Sequence, residues 1–293
     1  MSGTTMDIKE AWGFEEGDTI ASGLFALRLL GGGRRYEAYL AHSESLLSTV
    51  VVKVVRPDRV DDEATIEGLI SEYEAVRSLN HPVILRGYGI DTGPRPHIVL
   101  EHMEGPRLST LLRKFGPLPV EQFMPLAMHL ASALHYMHPN GWVHLDLKPS
   151  NTIMGAPPRM IDMSIARRVK DAARLRAAVG TDAYMAPEQC LAGEGGTIGP
   201  AADVWGLGVM LYEAIAGRLP FDLMDNQRHP QLEQTPMPFM VPVASYLDDL
   251  IQACLSYSPE ARPTAREVYE GLEPGIATTP KKIVLGRLRP KLR

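Results

Sequence analysis

The chain has 293 residues, 45% of them hydrophobic and 22% charged, enough to bury a sizeable core without disulfide or metal staples. A formal net charge of −5 gives no reason to expect nucleic-acid binding, and two well-separated cysteines, Cys190 and Cys254, form neither a disulfide framework nor a zinc pattern, so a reducing cytoplasm is the expected compartment. The opening MSGTTMDIKEAWGFEEGD has neither a basic start nor an apolar centre, which argues against a secretory signal, and no apolar run reaches the roughly 18 residues of a membrane span.

After an N-terminal extension (1–18), short β-type runs dominate. FALRLL (25–30), RYEAYLA (35–41) and STVVVKVV (48–55) are separated by Gly-rich or polar turns, and HIVLEHM (97–103) reads as a further strand. Poor alternation around Lys53 suggests that its strand is buried on both faces. Between these strands DDEATIEGLISEYEAVRSL (61–79) is expected to be a helix, with Ile66, Leu69, Ile70, Tyr73, Val76 and Leu79 at helical spacing and acids at its start.

Past Gly105-Pro106 the pattern becomes helical, with helices expected over 108–115, 120–141, 202–217, 245–256 and 264–272. ADVWGLGVMLYEAIAG is apolar on most sides and reads as a buried helix, and the Pro-rich stretch 230–242 as an ordered connection. The expected architecture is α+β: a small β-rich lobe over 19–103, a larger helical lobe over 104–272 and a basic tail over 273–293, with a ligand cleft where the lobes meet.

Three segments carry chemistry. Gly31, Gly32 and Gly33 stand between two strands, where glycines let backbone N–H groups approach a phosphate, although a tight hairpin turn would look the same. Lys53 in VVVKVV is costly to bury unless paired, and Glu72 on the following helix can pair it, against the alternative of a solvent-facing lysine on an edge strand. WVHLDLKPSN places Asp146, Lys148 and Asn151 within six residues, followed eleven residues later by Asp162. Phosphoryl transfer needs a carboxylate to orient the attacking hydroxyl, a cation for the γ-phosphate and oxygen ligands for Mg²⁺, and these residues offer all of them.

In this order the motifs resemble the eukaryotic-type (Hanks-type) serine/threonine protein kinase family, in a form similar to its bacterial members, from about residue 20 to 272. The resemblance implies a bilobal fold and transfer of the γ-phosphoryl group of ATP to protein hydroxyls, with Mg²⁺ or, in its place, Mn²⁺. The family's Gly-rich loop corresponds to Gly31 through Ala38, with Tyr36 at the third glycine, a stiffening change, and Ala38 at the valine. Lys53 becomes the lysine for the α- and β-phosphates and Glu72 its helix partner. IVLEHMEG (98–105) looks like the hinge, with Leu100 as gatekeeper and Glu101 and Met103 offering backbone groups to adenine, which Ala38, Val51 and Ile153 would sandwich. Asp146 would be the catalytic base, Asn151 and Asp162 the metal ligands, Glu188 the partner of Arg262, and Asp203 the anchor of the catalytic-loop backbone. Lys148 and Thr181 suit the serine/threonine class.

Several positions depart from the family. Leu145 replaces the arginine that grips an activation-loop phosphate, and no Ser, Thr or Tyr lies between Ser164 and Thr181, so activation without a phosphate there is expected. Ser164 replaces the glycine after Asp162-Met163, which should restrict that segment. Arg167, Arg168, Lys170, Arg174 and Arg176 make the loop basic; it reads as a solvated face or, together with Arg107, as a preference for an acidic substrate. The tail with Lys281, Lys282, Arg287, Arg289, Lys291 and Arg293 reads as a solvated segment or as a peripheral contact with an anionic membrane. A catalytically weak pseudokinase scaffold and a small-molecule kinase are the rival readings; retention of the five catalytic groups opposes the first, and Ala186-Pro187-Glu188 the second.

Overall fold

The structure, a computed structural model, describes residues 11–194, 196–222 and 228–278. The basic side chains of the tail, from Lys281 to Arg293, lie outside the described residues. Six strands, β1 (Thr19–Ala21), β2 (Leu24–Gly32), β3 (Tyr36–Ser43), β4 (Ser48–Val55), β5 (Gly87–Asp91) and β6 (His97–Glu101), form one antiparallel sheet in the order β1-β2-β3-β4-β6-β5, and α1 (Glu63–Ser78) crosses between β4 and β5. In chain order α2 (Leu108–Phe115), α3 (Val120–Met137), β7 (Trp142–Val143), β8 (Thr152–Ile153), β9 (Arg159–Met160), β10 (Arg167–Arg168), α4 (Val169–Ala172), α5 (Pro187–Cys190), α6 (Pro200–Ala216), α7 (Ser245–Cys254) and α8 (Ala265–Thr278) follow. The result is the expected α+β, two-lobed arrangement.

Alternation along β3 sorts its side chains between the two faces of the sheet. Glu37, Tyr39 and Ala41 are buried on the outer face, while Tyr36, Ala38 and Leu40 look toward the cleft. The outer face has its own small core, in which Ile20, Ala26, Tyr39, Val50, Val52 and Val54 pack under Trp12 and Phe14. Strand β4 corrects the expectation of burial on both faces: Val50, Val52 and Val54 are fully buried, but Val51 and Lys53 are only partly so, because the cleft takes their side. The register sets Lys53 opposite Ala38 on one side and Ile98 on the other, which places its amine at the middle of the cleft roof.

Helix α1 begins at Asp62, whose carboxylate accepts from Ala64 N at 3.2 Å and from the Thr65 hydroxyl at 2.9 Å, an N-cap that fixes where the helix starts. In the helical lobe α6 is buried nearly all round, as its composition predicts, and serves as the pillar beneath the site. Gly208 allows α6 to meet α7 closely: a Cβ there would stand 2.8 Å from that of Cys254. Several expected boundaries shift by one or two residues, and two move by four or more. Helix α3 stops at Met137, with 138–141 forming a turn, and α8 runs through Pro274 to Thr278 instead of ending at 272.

Candidate active site

The cleft between the sheet and the helical lobe has a volume of about 1420 Å³. Its roof is made by Gly31, Gly32, Gly33, Ala38, Val51 and Lys53, its back by Leu100, Glu101 and Met103, and its floor by Ile153 and Asp162. Leu100 is buried and closes the depth of the cavity.

Lys53 Nζ lies 2.6 Å from Glu72 Oε2 on α1 and 3.2 Å from Asp162 Oδ1 on the far side of the cleft. One ammonium thus joins three segments that are up to 109 residues apart. Burial disfavours its charge, but the Glu72 and Asp162 carboxylates outweigh that and hold the Lys53 pKa above the ordinary lysine value. Burial likewise works against the Asp162 carboxylate; Lys53 and the Ser164 side chain reverse the balance and hold it well below the usual range, and Ser164 N also donates to Asp162 Oδ1 at 3.4 Å. Asp162 itself has φ +67°, so the left-handed residue of this segment is the aspartate and not Ser164.

Asp146 gathers donors. The Thr181 hydroxyl donates to its Oδ1 at 2.7 Å, and its Oδ2 receives Lys148 Nζ at 2.6 Å and Asn151 Nδ2 at 3.0 Å. Lys148 Nζ also donates to Thr181 Oγ1 at 2.7 Å, closing a triangle of carboxylate, ammonium and hydroxyl. Asn151 Nδ2 bonds Asp146 O as well, while Asn151 Oδ1 accepts nothing from any described residue. Ile161 N donates to Asn151 O, so the Asn151 segment runs directly beside Asp162.

The loop carrying Asp146 is held from below. Both oxygens of the buried Asp203 on α6 accept backbone N–H groups at 2.8 Å, from His144 and Leu145, and His138 Nε2 lies 3.0 Å from the same carboxylate. Leu145 is buried with φ +66°, a conformation unusual for a residue with a branched side chain. Glu188 and Arg262 pair as the resemblance implies.

The residues from 25 to 271 match the model of the protein kinase domain family. The chain belongs to the protein kinase family. The chain is 31% identical over 260 residues to serine/threonine-protein kinase PknB of Mycobacterium leprae, covering 83% of the chain and 41% of that protein. It is 30% identical over 274 residues to serine/threonine-protein kinase A of Synechocystis sp., covering 83% of the chain and 51% of the relative. The matched part thus spans about half, or less, of the length of these relatives.

Several features of the site have no counterpart in the motif reading. Gln189 Nε2 bridges Leu145 O and Val179 O at 3.0 Å each; its place directly after Glu188 is the only hint the sequence holds. Trp12 donates its indole N–H to Val55 O at 2.8 Å and its backbone N–H to the Glu37 carboxylate, which also receives the Tyr39 hydroxyl. Two aromatic residues, Trp12 and Phe14, in an otherwise acidic stretch before the first strand are its one signal.

Proposed function

We propose that this chain is a serine/threonine protein kinase that transfers the γ-phosphoryl group of ATP to a protein hydroxyl. The observation that carries the reading is the Lys53 ammonium held at once by Glu72 and Asp162, which joins both sides of a cleft large enough for a nucleotide. Adenine would lie between Ala38 and Val51 above and Ile153 below, with Leu100 behind it and the backbone of Glu101 and Met103 at its edge. Lys53 would bind the α- and β-phosphates, oriented by Glu72, and the Gly31, Gly32 and Gly33 turn would lie over them.

The oxygen donors suit Mg²⁺: Asp162 is kept ionised and faces the cleft with a side chain 39% exposed, and Asn151 Oδ1 accepts no hydrogen bond from any described residue. Asp162 and Asn151 would hold the ion, which would supply positive charge to the phosphates. Asp146 would take the proton from the substrate hydroxyl as that oxygen bonds phosphorus and the bond from phosphorus to the ADP oxygen breaks. Lys148, beside it, would offer positive charge to the transferred group.

Two finer proposals follow. The activation segment is held without a phosphate: Val169 N donates to Gly141 O at 3.0 Å, the Arg168 guanidinium lies 4.3 Å from the Trp142 ring, and Gln189 ties Val179 to Leu145. Second, Arg107, Lys170, Arg174 and Arg176 are exposed and make no ion pair among the described residues, which favours an acidic protein substrate. Among the described residues no helix is long and apolar enough to cross a membrane. A reducing compartment, the cytoplasm, suits the thiols of Cys190 and Cys254, which burial pushes up to about 12.

The deciding experiment incubates the protein with labelled ATP, Mg²⁺ and a generic acidic or basic protein substrate, beside Asp146→Asn. Label on protein that the substitution abolishes, and more of it on the acidic substrate, is expected. No label under any condition favours a scaffold, and label on small acceptors alone favours a small-molecule kinase.

A further inference from the structure

Tyr36 stands where the family's Gly-rich loop has its third glycine, and three contacts surround its side chain. Its hydroxyl donates to Thr65 O in the first turn of α1 at 2.7 Å. Lys53 Nζ lies 4.9 Å from the centroid of its ring. Directly below, α1 carries Gly68, where a Cβ would stand only 2.8 Å from Tyr36 Oη. Glycine is a poor residue for a helix interior, so α1 gives up helix propensity at the one place where the tyrosine hydroxyl needs room.

The turn that carries Tyr36 is itself closed. Gly33 N donates to Tyr36 O at 2.9 Å, the buried Arg56 donates Nη1 to Gly33 O at 3.1 Å, and Arg56 N donates to Arg35 O at 2.9 Å. On the opposite face of the strand the neighbouring Glu37 is held by Trp12 and Tyr39. Strand β3 is therefore fixed on both faces, and the Tyr36 ring transmits that fixed position to α1. Glu72, seven residues beyond Thr65 on α1, bonds Lys53 at 2.6 Å.

We propose that Tyr36 is a positioning residue, a strut between the Gly-rich strand and α1 that keeps Glu72 against Lys53 and the cleft assembled without an activation-loop phosphate. The inference rests on the kinase reading of the cleft. Losing the strut lets α1 drift, and Lys53 then spends part of its time away from the geometry that phosphoryl transfer requires.

Three variants test it. Tyr36→Phe keeps the ring beside Lys53 and loses the bond to Thr65; Tyr36→Gly restores the family's residue; Gly68→Ala crowds the hydroxyl while improving the helix. Steady-state turnover and hydrogen exchange of the α1 amides are measured on the full chain. The expected result is a kcat lowered about fivefold in Tyr36→Phe and more in Tyr36→Gly, with KM for ATP within about twofold. Faster exchange along α1 is expected in Tyr36→Phe and in Gly68→Ala. Gly68→Ala should lose turnover without losing melting temperature, which a merely structural glycine would not do. Unchanged exchange in α1 overturns the proposal. So does Tyr36→Gly turning over as fast as the parent or faster, which would make the ring an obstruction in the phosphate site. If the parent shows no Asp146-dependent phosphorylation, the kinase reading fails, and the exchange of α1 still decides whether Tyr36 holds the helix.

Discussion

Arg262 holds Glu188 by two parallel bonds of 2.7 and 2.9 Å, across 74 residues of sequence and with both side chains buried. The guanidinium uses its remaining N–H groups on Ser256 O, Ala201 O and Tyr257 O, so every donor of a buried cation is satisfied. Replacing it by alanine leaves the Glu188 carboxylate buried without its partner. Arg262→Ala is expected to lose about 3–5 kcal/mol, seen as a lower urea midpoint with an unchanged slope. Arg262→Lys should recover only part of this, because one ammonium cannot reproduce the fork.

How far the sequence reveals this arrangement depends on how local the determining physics is. Strand β4 and helix α2 have the bounds that their residues suggest, since apolar runs and flanking glycines and prolines act over a few residues. Strand β5, GYGID, gives no such signal. Its glycines carry little β propensity, and Gly87 is there because a Cβ would stand 2.5 Å from Val76 Cγ2 on α1, a contact visible only once the helix is packed. The site behaves the same way. Lys53, Asp146, Asn151 and Asp162 sit in motifs whose spacing is their signature, whereas Gln189, Arg56 and Gly68 matter through partners far away in sequence. Tyr36 could be read as a stiffening substitution, but its bond to Thr65 could not.

Acid should weaken the protein through Asp162. Its folded pKa lies below the ordinary aspartate value of 3.8, mainly because Lys53 and Ser164 together outweigh the effect of burial. The folded state therefore releases this proton more readily than the unfolded chain does. The stabilisation is present above the unfolded value and is lost as pH falls toward the folded one. Melting temperature followed downward from pH 5 should fall more shallowly in Asp162→Asn than in the parent. Lys53→Met should flatten the same limb, since it removes the charge that depresses Asp162. Equal slopes in all three proteins would show that the Lys53–Asp162 contact does not operate in solution.

Thr181 closes the triangle at Asp146, donating to Oδ1 while accepting from Lys148 at 2.7 Å in each case. Thr181→Val keeps the shape and removes the hydroxyl, which leaves the carboxylate and the ammonium free to pair in other geometries. Turnover should fall about tenfold or more, the scale of one hydrogen bond to charged groups, with KM for ATP nearly unchanged. Thr181→Ser keeps the hydroxyl and should retain most of the activity. A Val variant as active as the parent would remove Thr181 from the machinery.

Gln189 carries the last expectation, because it replaces charge by a neutral amide. Its Nε2 reaches Leu145 O in the catalytic loop and Val179 O at the end of the activation segment, both at 3.0 Å, while its Oε1 accepts from Ala186 N at 3.1 Å. A bond between these two segments is what an arginine and a loop phosphate could otherwise supply, and here the arginine position is the buried Leu145 and no acceptor lies between Ser164 and Thr181. Treating the purified protein with a phosphatase should therefore leave its turnover within about twofold, since no charge-assisted bond in this segment depends on a phosphate. Gln189→Leu strips the buried Leu145 carbonyl and the half-buried Val179 carbonyl of their donor and should cost about 1–3 kcal/mol of stability and lower kcat more than it changes KM for ATP. A phosphatase-sensitive parent whose Gln189→Leu variant keeps full turnover would mean that a phosphate elsewhere, and not this amide, orders the segment.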